Sequence, residues 1–343
     1  TMKKLALVLG SLLVVGSVAS AKEVMPAPAP APEKVIEYVE KPVIVYRDRE
    51  VTPAWRPNGS VDVQYKWYGE VENKNPKKGD WANGKDGTIN GGRLQTETKI
   101  NFTEKQSLEV RTRNYQTLRG TKSEASADQL RLRHFYNFGK LGSSKVNATS
   151  RLEYKQETND GGKSVEASVF FDFADYIYSN NFFKVEKFGF RPGYKYKWAG
   201  HSDLYAHEAH LAFESDYKLP LNFGLNLEYD FYYSKLSDGW RYRTTSGDKR
   251  GEWVGELTAV LSNYTPLYKS GAFELGFNAE GGYDTYNMHQ YKRIGGTGTP
   301  DNKSTVDRRD YELYLEPTLQ VSYKPTDFVK LYAAAGADYR NRV

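Results

Sequence analysis

From Asn58 onward the chain reads as successive runs in which apolar or aromatic side chains alternate with charged or small ones, the two-residue period of a strand with two unlike faces. Val61, Val63, Tyr65 and Trp67 alternate with Asp62, Gln64 and Lys66. Leu94, Thr96, Thr98, Ile100 and Phe102 alternate with Arg93, Gln95, Glu97, Lys99 and Asn101, and Leu108, Val110 and Thr112 face away from Glu109, Arg111 and Arg113. The pattern is cleanest where Leu221, Phe223, Leu225, Leu227, Tyr229, Phe231 and Tyr233 alternate with Asn222, Gly224, Asn226, Glu228, Asp230 and Tyr232. Continued to Tyr339, it predicts an all-β chain with about thirteen long strands, near the nine to eleven residues of a tilted bilayer-crossing strand. Pro192 and Pro317 fall inside runs, where a missing ladder donor predicts bulges.

The connections alternate too. Thr103-Glu104-Lys105, Gly139 to Ser144, Lys218-Leu219-Pro220, Asn263 to Ser270 and Lys324-Pro325-Thr326-Asp327 are short. Asn73 to Gly92, Gln116 to Asp128, Lys235 to Arg250 and His289 to Arg309 are long, polar and glycine-rich, and Thr158 to Lys163 is a short exception on that side. Short turns at one end and long loops at the other are the pattern of an outer-membrane barrel.

A soluble sandwich also alternates, but its strands are shorter and its turns short at both ends. Aromatic residues at the run ends, such as Trp67, Tyr68, Tyr176, Tyr178, Trp198, Tyr233, Tyr264 and Tyr268, suit the lipid headgroup boundary. The expected architecture is therefore a transmembrane antiparallel up-and-down β-barrel over residues 58–343. Even strand numbers are the rule in such barrels, so about fourteen strands are expected in all, with the C-terminal closing strand missing.

Ahead of the runs, Lys3 and Lys4, the apolar stretch from Leu5 to Val18 and Ala19-Ser20-Ala21 form a secretory signal peptide over residues 1–21. The apolar stretch is shorter than the roughly 20 residues of an anchor helix. Residues 22–57 read as a periplasmic Pro/Ala-rich arm, with extended Pro-Ala repeats from Met25 to Pro32. In Glu33 to Tyr46 a short helix or strand is interrupted by Pro42. The expected location is the bacterial outer membrane, reached by export.

Composition sharpens this picture. Mean hydropathy is −0.71, too low for helical membrane spans, yet aromatic residues make up 14% of the chain. Cysteine is absent, so stability must come from a large core or a closed sheet. Lys and Arg number 48 against 43 Asp and Glu, a small excess that excludes a nucleic-acid role.

The interleaved polar set is the candidate functional surface. Its basic members are Arg93, Lys99, Arg111, Arg113, Arg131, Arg133, Arg151 and Lys155, read as lining a water-filled lumen from the N-terminal half of the barrel. Its acidic members, Glu228, Asp230, Glu252, Glu256, Glu274, Glu280, Glu312 and Glu316, line the other half. Facing each other across a channel, the two halves set up a transverse field, or else the charges merely solvate a wet wall.

No catalytic constellation is legible. His134, His201, His207, His210 and His289 stand in no Ser/His or metal-ligand pattern, and His207 and His210 point to opposite strand faces. Gly79 to Lys85 begins like a phosphate-binding loop, but Asp86 stands where Ser or Thr is required. No enzyme, metal or cofactor is expected.

Several segments resemble the fusobacterial major outer-membrane porins of the FomA type. These are Lys22 to Pro28, Glu37 to Glu50, Trp55 to Tyr65, Arg131 to Gly142 and Tyr283 to Arg293, and the likeness extends over essentially the whole chain. It implies a voltage-dependent general porin, trimeric and surface-exposed, with a proposed adhesin role. The function expected from pattern and resemblance together is passive diffusion of ions and small hydrophilic solutes. The expected partners are outer-membrane lipid, those solutes and two further copies in a homotrimer. The alternative is a surface adhesin, or a substrate-specific channel, whose long loops, such as Lys235 to Arg250 with Trp240 and Tyr242, bind host proteins.

Overall fold

The computed structural model of the chain describes residues 10–12, 19–21, 34–39, 43–48, 55–68, 91–117, 129–157, 162–180, 182–200, 203–244, 247–287, 292–295 and 310–342. Its strands are β1 (Gly10–Leu12), β2 (Ala19–Ala21), β3 (Lys34–Val39), β4 (Val43–Asp48), β5 (Asn58–Tyr68), β6 (Gly91–Asn101) and β7 (Gln106–Thr117). There follow β8 (Gln129–Lys140), β9 (Asn147–Glu157), β10 (Lys163–Asp172), β11 (Lys184–Trp198), β12 (Tyr205–Lys218), β13 (Phe223–Leu236), β14 (Trp240–Thr244) and β15 (Gly247–Lys249). The last are β16 (Gly251–Ser270), β17 (Phe273–Asn287), β18 (Lys292–Gly295), β19 (Asp310–Thr326), β20 (Val329–Gly336) and β21 (Tyr339–Arg342).

The long strands pair antiparallel with their sequence neighbours in one 16-stranded sheet, ordered β1-β20-β19-β17-β16-β13-β12-β11-β10-β9-β8-β7-β6-β5-β2, with β21 beside β19. All-β character and the antiparallel meander agree with the alternating pattern. Closure does not. The hydrogen-bonded path is open: among the described residues β5 and β20 share no ladder, and β1 and β2, at its two ends, do not pair with each other. The expected closed transmembrane barrel is therefore corrected to a large open antiparallel sheet. Alternation specifies the two faces of each strand; it says nothing about whether the first and last strands join.

Local features explain where strands stop. In the run beginning at Leu221, the strand starts at Phe223, because Leu221 and Asn222 adopt positive φ values of 57° and 61°. Two successive left-handed residues make a tight hairpin turn whose twist matches that of the flanking strands. The turn is closed by Phe223 N–H donating to Pro220 O at 3.2 Å and Leu219 N–H donating to Phe223 O at 2.8 Å. The bulges expected at Pro192 and Pro317 are absent. Pro192 pairs with Leu211 and Pro317 with Ala279 in unbroken register. Register instead shifts between Asn137 and Gly139, Val185 and Lys187, Pro266 and Tyr268, Asp284 and Asn287, and Tyr323 and Thr326.

In Glu33 to Tyr46 the strand option holds: β3 and β4 pair antiparallel on either side of Pro42, which itself lies outside the described residues. The regions read as long free loops, Lys235 to Arg250 and His289 to Arg309, contribute β14, β15 and β18 to a separate three-stranded sheet. Gln116 to Asp128 and Asn73 to Gly92, including Gly79 to Lys85, lie largely outside the described residues, as does His201, and His289 lies wholly outside them.

Candidate functional site: the charged face

Directly opposed residues on antiparallel strands share a face, so the ladders can be followed strand to strand. One row runs Ser60, Lys99, Glu109, Arg133, Glu153, Glu166, Lys195, Glu208, Ser234 and Glu252 from β5 to β16. A second runs Asp62, Glu97, Arg111, Arg131, Lys155, Ser164 and Lys197 from β5 to β11. Continued to β19, the same registers place every basic and acidic candidate on one face: Arg93 opposes Lys66, Arg113 opposes Gln95, Arg151 opposes Ser168, Asp230 opposes Glu256, Glu280 opposes Glu316 and Glu312 opposes Asp284.

The other face is the inverse. Leu152 is 56% exposed and Trp253 54%, and Leu94, Phe190, Tyr194, Leu211, Tyr229, Phe231, Leu261, Leu315 and Leu319 are exposed with them. Phe231 stacks on Trp253 with ring centroids 4.9 Å apart. Arg191, by contrast, is 4% exposed and Glu166 5%, and Glu153, Glu208 and Glu214 are buried. The sheet therefore exposes its hydrocarbon and shelters its charges.

The sheltered charges converge on Arg191 and Glu166. The Arg191 guanidinium donates Nη1–H to Glu166 at 3.0 Å and Nη2–H to Glu228 at 3.1 Å, and its Nε–H to Glu214. Glu166 also accepts from Arg151 and pairs with Lys195 at 3.0 Å, while Arg133 pairs with Glu153, Lys187 with Glu214, and Lys197 with Glu208 at 2.7 Å. A polar cleft of about 170 Å³ lies over this network, lined among others by Arg133, Glu166, Arg191, Lys195, Glu228 and Asp230.

Burial raises the proton affinity of Glu166, but Lys195 and Arg151 more than reverse that, so its carboxyl stays ionised well below the ordinary range. Glu153 and Glu214 are likewise lowered, burial being overcome by Arg133 and by Arg191 with Lys187. Glu228, Asp230 and Glu256 go the other way. Burial raises all three, helped at Glu228 by Asp230 and Glu214 and at Asp230 by Glu256. His210, buried beside Arg191 and Lys195, is lowered to about 4, mainly by desolvation, and is neutral at pH 7.

The remaining candidates are dispersed along the face. Lys99 lies 4.0 Å from Glu109, Glu252 lies 3.6 Å from Lys249, Tyr264 donates to Glu274, and Tyr314 donates to Glu280 at 3.0 Å. At the two ends of the long-strand series, Lys66 on β5 pairs with Glu316 on β19 at 3.0 Å, and Tyr332 on β20 donates to Asp62 on β5 at 2.9 Å. The basic and acidic halves thus adjoin on one face and are paired where they meet, at β11 to β13 and through Lys66 and Glu316.

Reading the sequence missed Lys187, Glu208 and the Asp62–Tyr332 bond, and it gave Arg191 no special weight beside Pro192. The usable signal was the spacing of Arg191, Lys195 and Lys197 on one strand face against Glu208 and Glu214 on the next. Among the described residues no group of three metal-ligating side chains occurs. No helix of the described residues is long and apolar enough to cross a membrane, which concerns helices alone.

No protein-family pattern, characterised protein or solved structure matches the chain. The resemblance to fusobacterial porins is therefore not supported, and an open sheet removes the closed cylinder on which voltage-dependent diffusion depended. The adhesin alternative presupposed the same barrel as its anchor and falls with it.

Proposed function

We propose that the chain is an exported, non-catalytic envelope protein that sets its aromatic and aliphatic face against lipid and keeps its charged face toward water, where it meets ions and small hydrophilic solutes. The observation that carries this reading is the inversion of burial. In water, a face bearing exposed Leu152, Phe190, Leu211, Phe231 and Trp253 is far more apolar than isolated surface residues account for, and such patches mark interaction surfaces. Ordinary cores bury apolar groups and leave charges wet. Here the order is reversed, and hydrocarbon is the medium in which that reversal is favourable. The short signal-like segment from Lys3 to Ala21 supports export.

The test is tryptophan quenching by brominated phosphatidylcholine in vesicles mixed with the refolded chain. Trp253 stands on the exposed apolar face, so quenching is expected, and Trp253→Phe should remove a measurable share of it. A folded chain that remains monomeric without detergent and shows no quenching would overturn the reading.

A further inference from the structure

On β8 the alternation is broken once by an aromatic residue. Leu130, Leu132, His134, Tyr136 and Phe138 keep to the apolar face, where Tyr136 and Phe138 pack edge to face with ring centroids 5.0 Å apart. Phe135 points the other way. It lies directly between Ser107 on β7 and Arg151 on β9, in a row that runs Asn58, Asn101, Ser107, Phe135 and Arg151 across β5 to β9. Among the described residues its ring packs on no other aromatic ring.

That ring forms one wall of a pocket of about 510 Å³ where the charged face meets the turn between β6 and β7, and Trp55, just ahead of β5, lines it as well. Small-molecule sites fall in the range of about 300–1,000 Å³. The charged members of the lining are Lys99, Lys105, Glu104 and Glu109, two of each sign, and Lys99 lies 4.0 Å from Glu109. Such a lining selects no ion by its sign. The nearest guanidiniums, Arg133 and Arg151, are already engaged by Glu153 and Glu166. What remains is amide and hydroxyl. Asn101 Nδ2–H donates to Asn58 Oδ1 at 2.6 Å, which leaves Asn101 Oδ1 as an acceptor, and Asn137 Oδ1 accepts from the Gly139 N–H at 2.8 Å, which leaves Asn137 Nδ2–H as a donor. Ser107, opposite Asn101, and Thr149, opposite Asn137, line the pocket too, and their hydroxyls make no hydrogen bond among the described residues.

We propose that this pocket binds an uncharged saccharide of one or two rings. A hydroxyl both donates and accepts, so a lining that mixes amide and hydroxyl groups matches it, where a lining of one charge does not. The C–H face of a sugar ring carries slight positive charge and settles on the negative face of an aromatic ring, which accounts for Phe135 and Trp55 on an otherwise polar surface. The proposal deepens the reading of the charged face as the side that meets small hydrophilic solutes, and rests on it. Its residues are absent from the apolar face, so sugar binding and vesicle association fail separately.

The experiment is calorimetric titration of the refolded full chain with maltose, and in parallel with N,N′-diacetylchitobiose, in a polyoxyethylene detergent whose headgroup carries no sugar. Saturable binding is expected, and raising the salt concentration should leave it unchanged, because the ligand has no charge to screen. Trp55→Ala and Phe135→Ala should each weaken it about three- to tenfold, the effect of losing one aromatic face. Lys184→Gln, on β11 and three strands from Phe135, should leave it unchanged. If either alanine variant lacks β-sheet circular dichroism, Thr149→Val, which removes a hydroxyl at nearly constant shape, serves in its place with a loss of about threefold expected. Binding of maltose identifies a free sugar as ligand; binding of the acetylated disaccharide alone identifies an amino-sugar glycan and supports the same chemistry. No binding of either sugar by the folded chain, affinity that falls as salt is raised, or unchanged affinity in the folded variants would overturn the site.

Discussion

At the scale of single residues the charged face holds two kinds of carboxylate, and acid separates them. Glu166 and Glu214 face Arg191 and lysines, and their folded pKa values lie below the ordinary 4.5. Their contribution to stability is fully present above about 4.5 and is lost as pH falls through the lowered values. Asp230 has the opposite sign. Burial is the first cause of its raised pKa, so the folded state binds the proton more tightly than the unfolded chain does. Its cost is therefore fully present above the raised value and disappears below the ordinary 3.8. Asp230→Asn should stabilise the chain at pH 7, with the gain shrinking to nothing as pH is lowered through that window. Urea unfolding at several pH values measures it. A gain that persists below the ordinary aspartate value would mean that packing, not charge, sets the effect.

At the scale of elements, strand pairs are locked by rings laid over glycines. The Tyr65 ring on β5 covers Gly92 on β6, where a Cβ would collide with its hydroxyl, and Tyr229 covers Gly255 across β13 and β16 in the same way, with a Cβ 2.7 Å from Oη. Both tyrosines sit diagonally from their glycines, two residues from direct opposition. Gly92→Val should cost about 1–3 kcal/mol by overpacking. Tyr65→Ala in the same chain should recover part of it, and a double-mutant cycle on unfolding free energy reads the coupling. Full additivity would show that the ring does not rest on the glycine in solution.

The strands themselves were legible because period-two alternation is a local property, strongest in β13, where Leu225, Leu227, Tyr229 and Phe231 keep one face. Pairing partners were not. Arg133 meets Glu109 and Glu153, whereas Arg111 meets Glu97 and Arg131, a difference set by register and invisible in the composition of either strand. The small sheet of β14, β15 and β18 also escaped notice, because it joins two segments that each read as glycine-rich loop.

At the scale of the whole molecule, the question is how a sheet with an open hydrogen-bonded path keeps its ends in place. Exposed strand edges invite pairing with other chains. Here β2 pairs along Gly59 to Val61 and β1 along Ala334 to Gly336, but both strands lie within the signal segment removed on export, so neither covers an edge of the exported chain. Beyond these short ladders, the ends are linked by side chains on the charged face. Lys66 and Glu316 are both largely sheltered, so their attraction is less screened than that of a surface pair. Tyr332 donates to both oxygens of Asp62, at 2.9 and 3.2 Å. Lys66→Glu and Glu316→Lys should each destabilise the chain, since each places like charges 3.0 Å apart where a pair stood. The exchanged double variant K66E/E316K should recover about 1 kcal/mol or more relative to the sum of the single changes, because the contact is re-formed with its polarity reversed. Unfolding free energies of the four proteins measure that coupling. A coupling near zero would place the two ends apart in solution.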